Sequence, residues 1–159
     1  VMIVEVGANS TDISLVKEGV PILNRSIEVS GASITKDLSE KMKISFEEAE
    51  QIKMDLSHNE KEEVPETVEK SLDPILNEVK YMLDFFANNH QEKPDKIILS
   101  GGGALLFNLS NKLEETLNLQ VIIGDPWYRV YYPAEMKGVL KELGPKLSVA
   151  IGLALRNLE

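Results

Sequence analysis

The segment Met2–Val16 constrains the fold of this chain more than any other, because it reads as a strand, a tight turn and a second strand. Met2–Val6 is apolar except for Glu5, and Thr11–Val16 is apolar or β-branched at most positions, so both suit a pleated and largely buried environment. The turn between them consists of Gly7, Ala8, Asn9 and Ser10. A glycine followed by small residues lets the backbone turn sharply and direct several N–H groups into one concavity, which can bind phosphate without much positive charge.

Glu5 is the anomaly in this segment. A carboxylate near the end of a buried strand is costly unless it meets a cation, a metal-bound water or several hydrogen-bond donors. Its position therefore indicates a functional site. The alternative is a plain hairpin with an edge carboxylate in water, and this segment alone leaves both interpretations open.

Composition narrows the class of protein. A chain of 159 residues with 43% hydrophobic residues fits one domain and is large enough to bury a core. No run approaches the roughly 20 apolar residues that span a bilayer, and a net charge of −9 disfavours a sequence-independent grip on nucleic acid or anionic lipid. The absence of cysteine excludes disulfides and is compatible with the cytosol. Val1 already lies in a strand pattern, which suggests a fragment of a longer chain.

After the hairpin, the pattern predicts a third strand over Val20–Val29 and therefore a three-stranded meander. A helix is predicted over Ser33–Lys43, with its first serine as the N-cap. Ser45 and Glu48 have the spacing of a capping box, and a second helix is expected from there to about Leu56.

The middle of the chain predicts a loop, a long helix and a strand. Residues 57–65 are polar and show no periodicity, so they are expected to form a loop. Glu66–Asn89 keeps a 3.6-residue period and predicts a helix in which Pro74 causes a kink or a restart. Lys96–Ser100 is a short apolar strand that runs into Gly101–Gly103.

The last third predicts a helix over 106–117, a strand over Gln120–Gly124 and a helix over Ala134–Leu143. Gly144-Pro145 is expected to restart the chain into a final helix over 146–158. That final helix is apolar almost all round, so something must cover it on more than one side. Cut free from its cover, the chain is expected to expose an apolar patch and to self-associate.

The inventory of side chains argues against several enzyme classes. The two histidines, His58 and His90, have no second His or Cys at ligand spacing, so zinc and a Ser-His-Asp triad find little support. The sequence contains no P-loop motif with its own lysine. A strand that ends in Gly101–Gly103, with Asp125 about twenty residues later, suggests a dinucleotide fold, but three opening strands in a meander contradict its βαβ start.

Gly101–Gly103 needs an explanation of its own, because three glycines at a strand end lose backbone entropy on folding. Either the turn is purely structural, or it uses positive φ or a bare backbone to let something flat approach closely. Together with the loop 7–10, the second possibility favours a ligand whose phosphate meets one loop and whose base or sugar meets the other.

Separated motifs in a fixed order resemble the second half of an actin-like ATPase. Val4–Ser14 is similar to the second phosphate loop of that superfamily, and Ile98–Leu105 is similar to its adenosine motif. Ser45–Lys53 resembles the helix of the inserted subdomain that faces the base. Gly124–Trp127 and Val149–Arg156 resemble the end of the PilM family of type IV pilus assembly proteins, which are related to the cell-division protein FtsA.

The resemblance implies a ribonuclease-H-like α/β fold, with a mixed five-stranded sheet in the order 3-2-1-4-5. It implies one half-domain over 1–159, with a core of 1–43 and 91–159 and a helical inserted subdomain over 44–90. It also implies ATP or ADP with Mg²⁺ in a cleft between two similar halves. The residues that it places at the nucleotide are Gly7, Ala8, Asn9, Ser10, Thr11, Glu50, Lys53, Gly101, Gly102, Gly103 and Ala104, with Glu5 as the tentative catalytic residue, holding Mg²⁺ through a water.

The chain departs from the family pattern at two points. The first half, with the first phosphate loop and the surface that in this family captures the cytoplasmic N-terminal peptide of PilN, is expected to lie outside these 159 residues. Glu5 stands where the superfamily usually has Asp. The added methylene moves the carboxylate by about one bond length, which matters when reacting groups must be placed within a fraction of an ångström.

The resulting expectation is the nucleotide-binding half of a cytoplasmic scaffold for type IV pilus assembly. It would associate with the inner membrane through a PilN-like partner, would not insert into the membrane or bind nucleic acid, and as an isolated chain would not be an enzyme. One alternative is half of a hydrolysing FtsA-like or chaperone-like ATPase. A second alternative is an interaction module that no longer binds nucleotide.

Overall fold

A mixed five-stranded sheet forms the framework of the protein, and its order β3-β2-β1-β4-β5 is the predicted one. The computed structural model describes residues 1–58, 65–90, 92–106 and 108–156. The strands are β1 (Met2–Val6), β2 (Thr11–Lys17), β3 (Val20–Ile27), β4 (Lys96–Ser100) and β5 (Gln120–Ile123). The first three strands pair antiparallel as a meander, whereas β4 pairs parallel with both β1 and β5.

Helices follow β3, β4 and β5 along the chain. Within the described ranges they are α1 (Gly31–Met42), α2 (Phe46–His58), α3 (Glu66–Lys70), α4 (Asp73–His90), α5 (Leu109–Leu117) and α6 (Lys137–Leu155). Two short 3₁₀ turns, Gly102–Leu105 and Ala134–Met136, precede α5 and α6. Most of the loop predicted over 57–65 lies outside the described residues, and the division into a core and an inserted subdomain stays a prediction.

The alternation of side chains along β1 determines which face of the sheet is buried. Met2, Val4 and Val6 are fully buried, whereas Ile3 and Glu5 on the opposite face are only half-buried. Hydrophobic residues of α1, α2, α4 and α5 join the buried face in one core. Because a shift of one residue would exchange the two faces, this burial fixes the register of β1 and with it the position of Glu5.

The first helix begins earlier than the spacing predicts, and Ser30 rather than Ser33 is its N-cap. The Ser33 N–H donates to Ser30 Oγ at 3.2 Å, and the Ser30 N–H donates to Ser33 Oγ at 2.8 Å, so the two serines cap the helix reciprocally. The extended backbone that this cap requires follows directly after β3, which ends at Ile27 instead of 29. The second predicted capping box is confirmed, since Ser45 and Glu48 exchange hydrogen bonds of 2.9 and 3.2 Å.

The long helix predicted over 66–89 is interrupted near Pro74. Helix α3 ends at Lys70, and α4 begins at Asp73. Proline lacks an N–H group and has a φ that suits the first turn of a helix, so Pro74 marks a restart rather than a kink.

The prediction that Gly144-Pro145 separates two helices is wrong, because α6 runs through both residues without a break. Both are buried against the rest of the protein. The Trp127 Nε1–H donates to the Leu140 carbonyl at 2.7 Å, and a Cβ at position 144 would lie only 2.9 Å from that nitrogen, so glycine is needed for the indole to approach. The proline removes one helical hydrogen bond, and these tertiary contacts hold the helix together there.

Candidate functional site

The hairpin loop 7–10 is held tightly at its base and is open at its tip. The Gly7 N–H donates to the Ser10 carbonyl at 2.9 Å, which closes the loop. The N–H groups of Gly31 and Ala32 donate to the carbonyls of Gly7 and Ala8 at 2.9 and 3.1 Å, so the start of α1 is fastened to the loop. Ala8 and Asn9 are exposed.

Two backbone donors at the tip of this loop are available to a ligand. Within the described part of the chain, the N–H groups of Ala8 and Asn9 donate to no protein acceptor. The first turn of α1 is different, because its N–H groups already donate to the loop and to Ser30. Any anion at this end of the sheet would therefore meet the N–H groups of the loop rather than those of the helix N-terminus.

Two of the three glycines after β4 are explained by packing against β1. Gly101 has a φ of +78°, and a Cβ there would lie 2.4 Å from the Val6 carbonyl oxygen. A Cβ at Gly103 would lie 2.3 Å from Val6 Cγ1. The Gly101 N–H also donates to the Pro145 carbonyl at 2.9 Å, so α6 holds the loop from its other side. At these two positions the structural explanation of the triple glycine is sufficient.

Gly102 is the exception. It is exposed, its φ lies outside the left-handed region, and the nearest atom that a Cβ would meet is Lys146 Cγ at 3.6 Å, an ordinary contact. No neighbour within the described residues therefore requires glycine here. Ala104, the last predicted residue of this loop, is buried, and its N–H donates to the Gly101 carbonyl at 3.1 Å.

Glu5 belongs to a pair of carboxylates that the sequence reasoning did not identify. The sheet register places Asp12 of β2 directly opposite Glu5 on one side and Ser100 of β4 on the other. Burial, and secondarily the negative charge of Asp12, raises the pKa of the Glu5 carboxyl above its ordinary value. The Ser10 hydroxyl donates to Asp12 Oδ2 at 3.2 Å, which links the pair to the loop.

The position of Asp12 could have been read from the hairpin itself. A four-residue turn pairs Val6 with Thr11, and the next pair outward is Glu5 with Asp12. Thr11, which was predicted to bind the ligand, is fully buried, and within the described residues its hydroxyl has no hydrogen-bond partner. Its side chain therefore lies beneath the loop rather than at its surface.

Glu50 and Lys53 lie together on α2, as their spacing predicts, and they contact α1. The Lys53 ammonium is buried and donates to Glu50 Oε2 at 2.6 Å, to the Thr35 hydroxyl at 2.7 Å and to the Gly31 carbonyl at 3.0 Å. Burial alone would raise the pKa of Glu50, but the hydrogen bonds from Lys53 and Thr35 outweigh it and lower that pKa. Thr35, four residues after Gly31 on α1, is a further member that sequence reasoning missed.

This cluster assigns different roles to the predicted pair. All three N–H bonds of Lys53 are used within the protein, where they join α2 to α1. Glu50 keeps one carboxylate oxygen, Oε1, without a protein partner in the described residues, and its side chain is about one-third exposed (32%). An acceptor oxygen held in place by a buried cation suits a ligand hydroxyl.

The three parts of the site meet at one end of the sheet, beyond the ends of its central strands. Gly101 and Gly103 pack on Val6, the loop 7–10 follows Val6 directly, and the Lys53 ammonium lies 3.8 Å from a Cβ position at Gly31, which is bonded to that loop. The carboxyl ends of the parallel strands β1 and β4 lie at this end of the sheet, which is where open α/β sheets bind ligands.

The residues present fit a hydrated magnesium ion better than a fully ligated metal. Among the described residues, no group of three or more His, Cys, Asp or Glu side chains could hold a metal ion. Glu5 and Asp12 offer carboxylate oxygens beside the open loop, and Mg²⁺ commonly keeps several waters and uses only one or two carboxylates together with phosphate oxygens.

A family model and a curated relative match this chain. Residues 1–158 match the family model described as type IV pilus assembly protein PilM. A cell division protein FtsA from Borreliella burgdorferi is 28% identical, across 100% of this chain and 43% of that protein. The chain thus spans less than half the length of this curated relative.

Two solved structures also match this chain. A PilM-PilN type IV pilus biogenesis complex matches with a TM-score of 0.85 and 27% identity, over 99% of this chain and 46% of that one. MreB5 of Spiroplasma citri bound to ADP matches with a TM-score of 0.65 and 16% identity, over 99% of this chain and 53% of that one, which shows a shared fold. None of the helices in the described ranges is both long and apolar enough to cross a membrane.

Proposed function

The chain belongs to the family of type IV pilus assembly protein PilM, and from that premise we propose that it is the nucleotide-binding half of a cytoplasmic scaffold for pilus assembly. The proposal rests on the family and on one edge of the sheet, where two glycine-containing loops leave backbone donors and an uncovered Gly102 next to each other. We expect the ligand to be ATP or ADP with Mg²⁺.

Each part of the site has its own task in this proposal. The N–H groups of Ala8 and Asn9 receive phosphate oxygens, which suits a chain with a net charge of −9. Gly102 gives the flat base access to the backbone. Glu50 Oε1 accepts a hydrogen bond from a ribose hydroxyl, while Lys53 and Thr35 hold the carboxylate in position.

Gly102 is the observation that carries this proposal, because no internal contact explains its lack of a side chain. Gly102→Val, in a longer protein that also carries the first half expected from the family resemblance, should weaken Mg-ATP binding at least tenfold in a calorimetric titration. The matched control is Gly138→Val on α6, where an added Cβ also meets no atom within 4 Å. A Gly102→Val protein that is folded and binds as tightly as Gly138→Val would contradict the proposal and favour a module that no longer binds nucleotide.

The hydrolysing alternative depends on Glu5. When bound, Mg²⁺ would neutralise phosphate charge and order water near the carboxylate pair. Glu5 and Asp12 would hold that hydrated ion. Burial, and secondarily the Asp12 carboxylate, raises the pKa of Glu5, and a bound cation would offset both effects. Phosphate release by the longer protein that falls with Glu5→Gln would favour the ATPase, whereas binding without release would favour the scaffold.

The partner and the location follow from the family rather than from this half alone. We propose that the longer protein binds a PilN-like inner-membrane protein through its other half, as the name of the matched PilM-PilN complex suggests. Such binding would bring a cytoplasmic protein to the inner membrane without a spanning segment of its own. Deletion of the upstream half should abolish co-purification with the PilN-like protein, and retention by this chain alone would contradict that assignment.

A further inference from the structure

A chain of hydrogen bonds connects the buried Lys53 to the tip of the hairpin loop. The Lys53 ammonium donates to the Gly31 carbonyl at 3.0 Å. The peptide group of that carbonyl also contains the Ala32 N–H, which donates to the Ala8 carbonyl at 3.1 Å. The peptide group of the Ala8 carbonyl contains the Asn9 N–H, one of the two tip donors without an acceptor in the described part of the chain. This lysine relay thus leads from a cation, through two peptide groups, to a free donor.

Every hydrogen bond in the lysine relay points in the same direction, away from the cation. The dipoles of the two peptide groups are therefore aligned head to tail. Aligned hydrogen-bonded groups polarise one another, and each bond is electrostatically stronger in a protein interior than in water. Lys53 is only 8% exposed, so water screens its charge less than that of a surface lysine. The Asn9 N–H at the end of the relay is consequently polarised towards an acceptor that carries negative charge.

The relay also holds the loop in position. A Cβ at Gly31 would lie 3.5 Å from the Gly7 carbonyl oxygen and 3.8 Å from Lys53 Nζ, so Gly31 lies between the loop and the cation. The Thr35 hydroxyl, one turn along α1, also donates to the Gly31 carbonyl, at 2.9 Å. Two donors thus hold the peptide group that anchors the loop, and one of them, Lys53, comes from a different helix.

The other free donor of the loop lies at the end of a similar relay that begins without a cation. The Ile34 N–H donates to the Ser30 carbonyl at 3.0 Å. The Gly31 N–H of the same peptide group donates to the Gly7 carbonyl at 2.9 Å, and the peptide group of that carbonyl contains the Ala8 N–H. The two tip donors therefore differ in what lies behind them, a buried cation in one relay and the backbone of α1 in the other.

We propose that Lys53 is a positioning residue for phosphate: through the peptide group that follows Gly31, it holds and polarises the Asn9 N–H. This inference rests on the proposed function and deepens it, because it connects the two ends of the nucleotide site. Glu50, the acceptor expected for a ribose hydroxyl, accepts from the same ammonium at 2.6 Å, so one buried cation serves both the ribose and the phosphate. The role is additional to the ligand contact that the family resemblance implies for Lys53.

The first test compares the two tip donors in this chain, without nucleotide. Lys53→Met removes the charge and the N–H groups but keeps an apolar stem, and amide proton and nitrogen chemical shifts are measured before and after the change. The Asn9 amide should shift clearly more than the Ala8 amide, because only Asn9 lies at the end of the lysine relay. The control is Lys70→Met, at an exposed lysine of α3, which should shift neither amide.

Two results of this comparison would overturn the proposal. Equal shifts at Ala8 and Asn9 would show that the loss of Lys53 only loosens the junction between α1 and the loop. An unchanged Asn9 amide would show that the lysine does not act on the loop at all. If Lys53→Met is not folded, Lys53→Gln keeps a neutral donor in the cluster and should give the same order of shifts, with the larger one at Asn9.

The second test asks whether the relay acts on phosphate. A longer protein that carries the first half expected from the family resemblance is titrated with Mg-ATP and with adenosine, which has the base and the ribose but no phosphate. Lys53→Met should reduce the affinity for Mg-ATP at least threefold more than the affinity for adenosine. The matched control is Glu50→Gln in the same cluster, which should not weaken Mg-ATP more than adenosine, because Lys53 stays in place.

The outcomes separate this inference from the proposed function. An equal loss of affinity for both ligands in Lys53→Met would overturn the inference and confine Lys53 to the ribose end of the site. If the unmodified longer protein binds neither ligand, the proposed function fails. The amide shifts of the first test then decide by themselves whether Lys53 acts on the loop.

Discussion

Gly103→Ala tests whether the triple glycine is fitted to β1, and its cost can be worked out from the contacts. The added methyl carbon would lie 2.3 Å from Val6 Cγ1 and 2.7 Å from Val6 Cβ. Carbon atoms in good contact are about 3.5–4.0 Å apart, so one of the two segments must move by more than an ångström. Val6 is fully buried and β-branched, so it cannot turn away easily.

Overpacking of this kind costs about 1–3 kcal/mol in free energy of unfolding. For a domain of this size, that corresponds to a fall of roughly 2–12 °C in Tm. The matched control is Gly102→Ala one position earlier, whose methyl meets only Lys146 Cγ at 3.6 Å. That change should be neutral, or should stabilise the protein by at most about 1 kcal/mol, because alanine restricts the conformations of the unfolded chain.

The stabilities of Gly103→Ala and Gly102→Ala are compared by urea unfolding, with equal m-values for the two proteins. A further variant, at position 6, tests whether the contact with Val6 is the cause. Val6→Ala removes Cγ1, the nearer of the two Val6 atoms that the new methyl would strike, so the double variant should be more stable than the sum of the two single effects implies. The reasoning is refuted if Gly103→Ala unfolds at the same urea concentration as Gly102→Ala, or if the two effects at positions 6 and 103 simply add.

Three further outcomes are expected. The isolated chain should bind Mg-ATP weakly or undetectably in a calorimetric titration, because it offers one side of a cleft; low-micromolar affinity would contradict this. Glu5→Gln should stabilise the fold at pH 7 in urea unfolding. Because the pKa of Glu5 is raised in the folded protein, its contribution to stability is complete below the ordinary Glu pKa of 4.5 and is lost as the pH rises through the folded-state pKa. The stability advantage of the Glu5→Gln protein should therefore fade in acid. An advantage that grows in acid would show that the pKa of Glu5 is lowered instead. Lys53→Met should destabilise by about 1–3 kcal/mol, since buried acceptors lose their donor. The exposed Lys70→Met serves as its control, and equal effects would mean that Lys53 is not structural.

The sheet could be predicted from the sequence because its signals are local. The apolar and β-branched residues of Met2–Val6 and Thr11–Val16 indicated two paired strands, and the four residues between them set the turn. The apolar run Lys96–Ser100 ended in glycines, which a buried parallel strand tolerates at its end. The order of all five strands then followed from the family resemblance, and the observed topology agrees.

The details that sequence reasoning missed depend on local backbone conformation or on contacts between distant segments. Ser33 looks like a cap from spacing alone, but Ser30 has the extended backbone that capping needs, with a φ of −156°. Gly144-Pro145 reads as a helix end until Trp127 is found packed against it. The burial of Lys53 against α1 is likewise a property of tertiary packing, which its spacing on α2 does not reveal.

Val6 lies against both loops of the site, and this packing bears on how a ligand would be bound. The residue after it begins the loop 7–10, and its own side chain and carbonyl are what Gly101 and Gly103 pack against. Both loops therefore contact one buried residue, which ties the position of the free N–H groups of Ala8 and Asn9 to that of the open backbone at Gly102. A ligand would then lose little free energy in ordering this half of the cleft. Weak binding by the isolated chain would accordingly report the absence of the opposite wall rather than disorder of the loops.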